Sequence, residues 1–501
     1  MSTKENRKRD WHAEAAGLKV DGRAFIDGQR VDALAGATFE IQSPIDGRIL
    51  GSAARGMGED IDKAVSVARA AFDDGRWARQ APAARKRALG RFAEGILAAR
   101  DELALLETLD MGKPIAYSRS VDVPASARCI QWYAEAIDKV YDEIAPTAET
   151  ALALITREAM GVIGCIVPWN YPMIMAAWKL GPALATGNSV VLKPSEKSPL
   201  TALRLAEIAL AAGIPAGVFN VVPGFGHEAG EALALHMDVD AIGFTGSTRV
   251  GRRMLDYSAR SNLKRVYNEL GGKSANIVFA DFDNLERAAA TAAGAMFFNQ
   301  GESCNAPSRL FVQSSIADEF VARLAAAAPK FMPADPLDES TVMGALVDGT
   351  QLSTVMGYIE AGMGEGAQCL TGGRQARAST GGFYVEPTVF DGVSNAMKIA
   401  REEIFGPVLS VIRFDTEDQA IAMANDTPYG LQAAVWSSHL DRAHRVARRL
   451  RAGTVHVNQY DDDDMTVPFG GFKQSGNGRD KSLHALEKYT ELKTTWIRLA
   501  M

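Results

Sequence analysis

Among 501 residues, the side chain best placed to act as a nucleophile is Cys304. It lies in NQGESCNAPSRL, just after an apolar helical pattern, in a polar turn with Gly301, Glu302, Asn305 and Pro307. Most lone cysteines pack silently in cores, but a thiol in a polar turn that opens a new segment is exposed and has backbone N–H groups to stabilise its thiolate. Cys129, which follows an arginine on a helix, and Cys165 and Cys369, in apolar strand-like runs, are assigned to the core. Glu269, in NELGGKSAN, stands ahead of Leu270 and the pair Gly271 and Gly272. A glutamate before glycine is ordinarily a solvated loop or helix-end carboxylate; here the two glycines permit close backbone approach to a ligand and make a general base the alternative. Asn170, in PWNYP, is stiffened by prolines on both sides, so it is either a turn residue or an amide donor for an oxyanion.

Two glycine-bearing turns follow strand-like runs: Gly224, Gly226 and Gly230 in PGFGHEAG, and Gly246 to Gly251 in FTGSTRVG. Neither matches GxGxxG, and tight turns alone explain them. The strand SVVLKPSE carries more information, because it ends in Lys193 and Glu196. A carboxylate at a strand's C-terminal end can accept both hydroxyls of an adenosine ribose, which favours NAD over a 2′-phosphorylated cofactor.

The elements that must position these residues follow from periodicity. From Ile61 to Leu106 apolar residues recur at helical spacing, predicting a pair of amphipathic helices broken near Trp77 and Pro82. VIGCIV, SVVLK and FNVV then alternate with helical patterns over Met173 to Leu184, Leu200 to Ala212 and His227 to Leu235. Such βα repeats imply a parallel sheet covered by helices. A second series starts near Ala275 with NIVF, a helix from Leu285 to Phe298, RLFV and a helix from Ile316 to Ala328, so a boundary is expected near Gly271 and Gly272. Lys139 to Ile155 is polar and strand-like, as a pairing arm would be.

Composition excludes several classes. The chain is 47% hydrophobic with a net charge of -7 and no long basic run, so it reads as a well-cored globular protein without a nucleic-acid surface. Four widely spaced cysteines with no CxxC pair, and no HExxH, predict neither a disulfide framework nor a catalytic metal. The charged start MSTKENRKRDWHAEA is no secretory signal, and the most apolar stretch, Gly161 to Gly187, is broken by Pro168, Asn170, Pro172, Lys179 and Pro182. A cytoplasmic location and no membrane partner are expected.

Taken together, PWNYP, LKPSEKSP, FTGSTRVG, ELGGKSAN, NQGESC, EEIFGP and PFGGFKQSGNGR occur in the order and spacing of the aldehyde dehydrogenase superfamily, which the chain resembles from Phe25 to Lys493. The ending GNGRDKSLHALEKYTELKTTWI, with EKSPLTA and ETLDMGKPI, is most similar to the bacterial branch acting on polyamine-derived aldehydes, the gamma-glutamyl-gamma-aminobutyraldehyde and 4-guanidinobutyraldehyde dehydrogenases. The resemblance implies an α/β fold: a Rossmann-type NAD-binding domain from 1–136 and 155–270, an α/β catalytic domain over 271–473, and a β-arm from 137–154 with 474–501 for oligomerisation as a dimer or tetramer.

It also implies roles. Cys304 is the nucleophile and Glu269 the general base; Asn170 holds the oxyanion with the Cys304 backbone N–H, and Lys179 assists proton movement. Lys193 and Glu196 meet the adenosine ribose, Ser247 the pyrophosphate, and Glu403 the nicotinamide ribose with Phe405 beside the ring. Trp169, Gly226, Phe244, Gly246, Val250, Leu270, Gly271 and Gln351 complete the expected NAD contacts. Tyr171, Trp178, Phe298, Ser303, Asp463 and Phe469 are expected along the substrate channel. Retention of Glu269 points to water rather than CoA as the acceptor of the acyl group, and so to a carboxylic acid product.

Three positions depart from the family pattern. Pro307 replaces a usual glycine, and a position needing φ > 0 could not accept it, so either the turn tolerates proline or the Cys304 loop is shifted. Asn305 and Asn268 stand where small or apolar residues are commoner, adding polarity beside both catalytic groups. The run Asp461 to Asp464 is either a solvated loop or a negative mouth that attracts a cationic amino- or guanidino-aldehyde. An aromatic or aliphatic aldehyde is the alternative substrate, and a non-catalytic structural protein on the same fold the alternative class.

Overall fold

The computed structural model describes residues 9–460, 462 and 464–500. Two seven-stranded sheets form its body. In the first, the parallel strands Arg265–Glu269, Ala241–Thr245, Val162–Ile166, Ser189–Lys193 and Phe219–Val221 lie in that order, with the hairpin Ala24–Ile26 and Gln29–Val31 antiparallel at the far edge. Four of the five parallel strands, Ala241–Thr245, Val162–Ile166, Ser189–Lys193 and Phe219–Val221, are buried at every position, as a sheet with helices on both faces requires. The second sheet runs Gln368–Thr371, Thr388–Asp391, Val408–Phe414, Arg309–Gln313, Ala275–Val278, Gln432–Trp436 and Thr454–Val457 and is parallel except at its first pair. The first sheet's last strand ends at Glu269 and the second sheet's first begins at Ala275, so the Gly271 and Gly272 pair bridges the two.

The helical expectations hold with one correction. Between Ile61 and Leu106 there are three helices, Gly58–Asp73, Pro82–Ala98 and Arg100–Met111. The second break, at Ala99, carries neither glycine nor proline, which is why periodicity ran through it. Trp77 marks the first break because its indole is fully buried and donates to the Leu184 carbonyl at 2.9 Å, tying the turn to the helix Pro172–Ala185. The expected arm forms a three-stranded antiparallel sheet: Thr490–Arg498 pairs with Ala151–Ala159, which pairs with Glu143–Ala145. No helix of the described residues is long and apolar enough to cross a membrane.

Candidate active site

A cavity of about 730 Å³ opens where the ends of the two sheets meet, and its wall includes Cys304, Glu269 and Asn170. Each comes from a different local device. Glu269 is the last residue of its strand, and the Gly246 N–H donates to its carbonyl at 3.1 Å, fixing the strand end beside the next turn. Its carboxyl is 3% exposed, and neither oxygen has a hydrogen-bond partner among the described residues. Burial, with the charge of Asp480 second, pushes its pKa well above the carboxylate range against the opposing charges of Lys179 and Lys488. A carboxylate whose pKa is raised in this way is a stronger base than a solvated one, which suits it to draw a proton from water.

Cys304 is half-buried and follows three consecutive left-handed residues, Asn299 (φ 49°), Gln300 (φ 58°) and Gly301 (φ 70°). Left-handed backbone costs a non-glycine residue about 1–2 kcal/mol, so the surroundings must hold the turn. They do so with buried polar groups: Asn299 Nδ2 donates to the carbonyls of Asn170 and Glu302 at 3.0 and 3.1 Å, Gln300 Oε1 accepts from the Gly344 N–H at 3.2 Å, and Glu302 Oε1 accepts from the Val347 N–H at 3.1 Å. Sequence reasoning missed Asn299, Gln300 and Glu302; the Asn and Gly flanking Gln300 were the available signal for a left-handed turn. Asn170, 4% exposed, donates one Nδ2 hydrogen to the Glu302 carbonyl at 2.9 Å, and an amide carries a second.

The departures from pattern resolve locally. No residue from Glu302 to Ser308 has positive φ, so Pro307 is accommodated, in a turn where the Ala306 N–H reaches the Ser303 carbonyl at 3.1 Å. Asn305 lines the cavity and braces the loop, its Nδ2 on Gln432 Oε1 at 3.2 Å and its carbonyl accepting from Tyr460 Oη at 2.6 Å. Asn268 adds no polarity beside Glu269: alternation along the strand turns it to the other face, where Nδ2 donates to the Gly251 carbonyl at 3.1 Å.

The glycine pair serves close approach, though to protein groups. A Cβ at Gly271 would stand 2.1 Å from Glu403 Oε2, and one at Gly272 would stand 2.4 Å from the Cys304 carbonyl oxygen. Gly272→Ala should therefore displace the nucleophile's backbone and lower kcat by about a hundredfold while NAD affinity, measured by protein-fluorescence titration, changes far less. Equal kcat in variant and parent would show that the Cys304 carbonyl has room to move.

Trp169, Gly246, Ser247, Leu270, Gly271, Gln351, Glu403 and Phe405 also line the cavity. Phe405 has φ 58° and meets the Trp169 ring edge-on at 5.3 Å; Gln351 Nε2 holds that turn by donating to the Phe405 carbonyl at 2.7 Å. Ser247 caps the helix Thr248–Ala259, and Arg249 in its first turn faces the cavity. Burial pushes Glu403 up to about 7, opposed by the Gly272 N–H and by Lys273. Phe244, expected among the NAD contacts, is not in the lining, because its ring lies under Gly246, whose Cβ would meet it at 2.6 Å. Val250, Gly226, Lys193 and Glu196 are outside the lining as well. The last two pair at 3.4 Å, and a Cβ at Gly230 would sit 3.7 Å from Lys193 Cδ, which groups that strand end with the Gly226–Gly230 turn.

These groups fit a dinucleotide: a helix N-terminus and Arg249 for phosphate, and the Glu403 and Glu196 carboxylates for ribose hydroxyls.

Lys179 sits behind Glu269 rather than in the wall. Its ammonium pairs with Asp480, which also takes Lys488, all three buried. Asp480 and Lys488 were not singled out in the sequence, since a buried carboxylate between two lysines leaves no local pattern. Tyr171, Trp178, Phe298, Ser303 and Phe469 line the remaining wall, Trp178 and Phe469 in contact at 5.0 Å between ring centroids. Tyr171 Oη donates to Ser303 Oγ at 3.3 Å, and the Lys113 ammonium lies 4.1 Å from the Tyr171 ring. Asp461 and Asp463 lie outside the described residues; Asp462 and Asp464 line the cavity. Cys129 and Cys165 are buried as expected, and Cys369 is half-buried at the edge of the second sheet.

Comparison with known proteins agrees with this geometry. The Escherichia coli NADP/NAD-dependent aldehyde dehydrogenase PuuC is 55% identical over 489 residues, covering 98% of each chain. A crystal structure of gamma-glutamyl-gamma-aminobutyraldehyde dehydrogenase from Burkholderia cenocepacia superposes with a TM-score of 0.96 at 61% identity, covering 98% of this chain and 99% of that one. The P. syringae indole-3-acetaldehyde dehydrogenase AldA, solved as a cysteine-to-alanine mutant with NAD+ and IAA, gives a TM-score of 0.97 at 60% identity over 98% of this chain and 99% of its own. The model of the aldehyde dehydrogenase family matches residues 31–495, and the chain belongs to that family.

Proposed function

We propose that the protein oxidises an aldehyde to the carboxylic acid with NAD, and that its substrate is a polyamine-derived amino-, guanidino- or gamma-glutamylamino-aldehyde. The observation that carries the reaction is the Cys304 thiol and the unpartnered, buried Glu269 carboxyl in the wall of one cavity. The Cys304 thiolate adds to the carbonyl carbon, and the oxyanion accepts hydrogen bonds from Asn170 Nδ2 and the Cys304 N–H. NAD, when bound, takes up the hydride that leaves that carbon. The thioester left on Cys304 is hydrolysed: Glu269 draws a proton from water, the oxygen adds to the acyl carbon, and Cys304 departs as thiolate. Asp480, Lys179 and Lys488 set the charge behind Glu269 and so the pH at which it works.

The substrate class rests on likeness to PuuC and to the Burkholderia enzyme and on the aspartates at the cavity wall. Aromatic aldehydes form the second reading, favoured by the Trp178, Phe298 and Phe469 walls and by likeness to indole-3-acetaldehyde dehydrogenase. NADH formation at 340 nm across amino, guanidino, gamma-glutamylamino, indolyl and alkyl aldehydes decides. The amino, guanidino or gamma-glutamylamino compounds are expected to lead in kcat/KM by about tenfold; an equal lead for indole-3-acetaldehyde would establish the second reading instead. Absence of NADH with all of them would leave the structural-protein alternative.

We further infer a homo-oligomer built through the arm, where Ile144, Leu492 and Trp496 are 71%, 65% and 67% exposed on one small sheet. Apolar side chains so placed are covered by another copy in a stable assembly.

A further inference from the structure

A second, much smaller cavity of about 20 Å³ lies where three neighbouring parallel strands begin, Arg309–Gln313, Ala275–Val278 and Gln432–Trp436. It has room for one occupant of about the size of a water molecule. Among the described residues its wall includes Lys273, Arg309 and Arg451 and no acidic side chain.

Two of these cations are fully buried without a counter-charge. The Arg309 guanidinium meets only neutral acceptors: Nε donates to the Lys273 carbonyl at 2.9 Å, Nη1 to Asn395 Oδ1 and the Met423 carbonyl, each at 3.2 Å, and Nη2 to the Ala424 carbonyl at 2.9 Å. Lys273 Nζ has no hydrogen-bond partner, and neither side chain forms an ion pair with a described residue. Burial and the charge of Arg309 push the Lys273 ammonium down to about 7, with Glu403 and Glu402 opposing. Two further buried donors in the same wall are unpartnered, Ser274 Oγ and Gln432 Nε2. Buried donors left unmade are rare in folded proteins, and several around one cavity call for a bound acceptor. Water would satisfy hydrogen bonds yet leave the two buried positive charges uncompensated; a small anion answers both needs.

We propose that this cavity is an anion site holding a single halide-sized ion, chloride, between the Lys273 ammonium, the Arg309 guanidinium and the Gln432 amide. The site adjoins the catalytic loop through one residue. Gln432 lines both cavities, and its Oε1 accepts from Asn305 Nδ2 at 3.2 Å, so an ion on Nε2 would fix the amide that braces the residue after Cys304. The inference does not depend on which aldehyde is oxidised.

Crystals of the full chain transferred to sodium bromide, with data collected at the bromine absorption edge, test occupancy directly. An anomalous peak between Lys273 and Gln432 is expected, and no peak there overturns the inference. In solution, Tm is followed as chloride replaces gluconate at constant ionic strength. It should rise by about 2 °C and level off, as binding to one site does and a general salt effect does not. Lys273→Met should abolish this saturating rise, and Lys273→Arg should keep part of it. Each protein is compared with itself in two salts, so a lower Tm in a variant cancels. If Lys273→Met does not fold, the bromide peak and the saturating rise of the parent still decide. A rise that persists in folded Lys273→Met, or no saturating rise in the parent, overturns the inference. A bromide peak without that rise means binding at crystal concentration only and overturns it as well.

Discussion

Cys304→Ala is expected to lower kcat by about four to six orders of magnitude with every aldehyde tested, while leaving NAD affinity and Tm close to the parent's. The size of the effect follows from the absence of a substitute. Cys129 and Cys165 are fully buried, and burial pushes the Cys165 thiol up to about 12, so neither offers a thiolate to the cavity. Cys369 lies on the strand Gln368–Thr371 at the far edge of the second sheet, away from the cavity lining. Initial rates of NADH formation together with a thermal melt check the outcome. More than about a hundredth of the parent rate in a well-folded variant would mean that Cys304 is not the attacking group.

Glu269→Gln should produce the second-largest loss, about a hundred- to ten-thousandfold in steady-state kcat, and a different kind of loss. The carboxyl acts after hydride transfer, so the variant should still form one equivalent of NADH per site rapidly and then stall. In the parent, kcat should rise with pH through the elevated pKa of Glu269 as its carboxylate forms, and the variant should lose that limb. Stability gives an independent reading of the same buried acid. In the unfolded chain a glutamate ionises near about pH 4.3, whereas the folded protein keeps Glu269 protonated to higher pH. The stability associated with this group is therefore fully present below the unfolded pKa and is lost as pH rises through the folded one. Glutamine has no such dependence, so the Tm difference between variant and parent should shift in the variant's favour from about pH 5 to about pH 8.

The sequence made the architecture legible wherever burial writes a period. VIGCIV and SVVLK are strands because a sheet covered on both faces has no polar positions, and the restart at Ala275 marks a second sheet for the same reason. It was illegible at Ala99, where one helix ends and another begins without a breaker residue. At the site, residue chemistry alone raised Cys304, Glu269 and Asn170 as candidates, and motif order gave the rest. What could not be read were groups whose meaning is a contact over long sequence distance. Asp480 matters because the fold sets it between Lys179 and Lys488, 301 and 8 positions away. Glu302 matters because the Val347 N–H reaches it. Phe244 shows the converse, since a residue in a motif need not line the cavity and this one packs against Gly246.

The central claim is that one thiol carries the acyl group and one carboxyl releases it. Intact-protein and peptide mass spectrometry of Glu269→Gln, quenched in acid within seconds of mixing with NAD and gamma-glutamyl-gamma-aminobutyraldehyde, tests it most directly. The account predicts a mass increase equal to the acyl group minus one hydrogen, confined to the peptide that contains Cys304 and matching the NADH burst in amount. A burst with no acylated Cys304, or acylation on another residue, would contradict it.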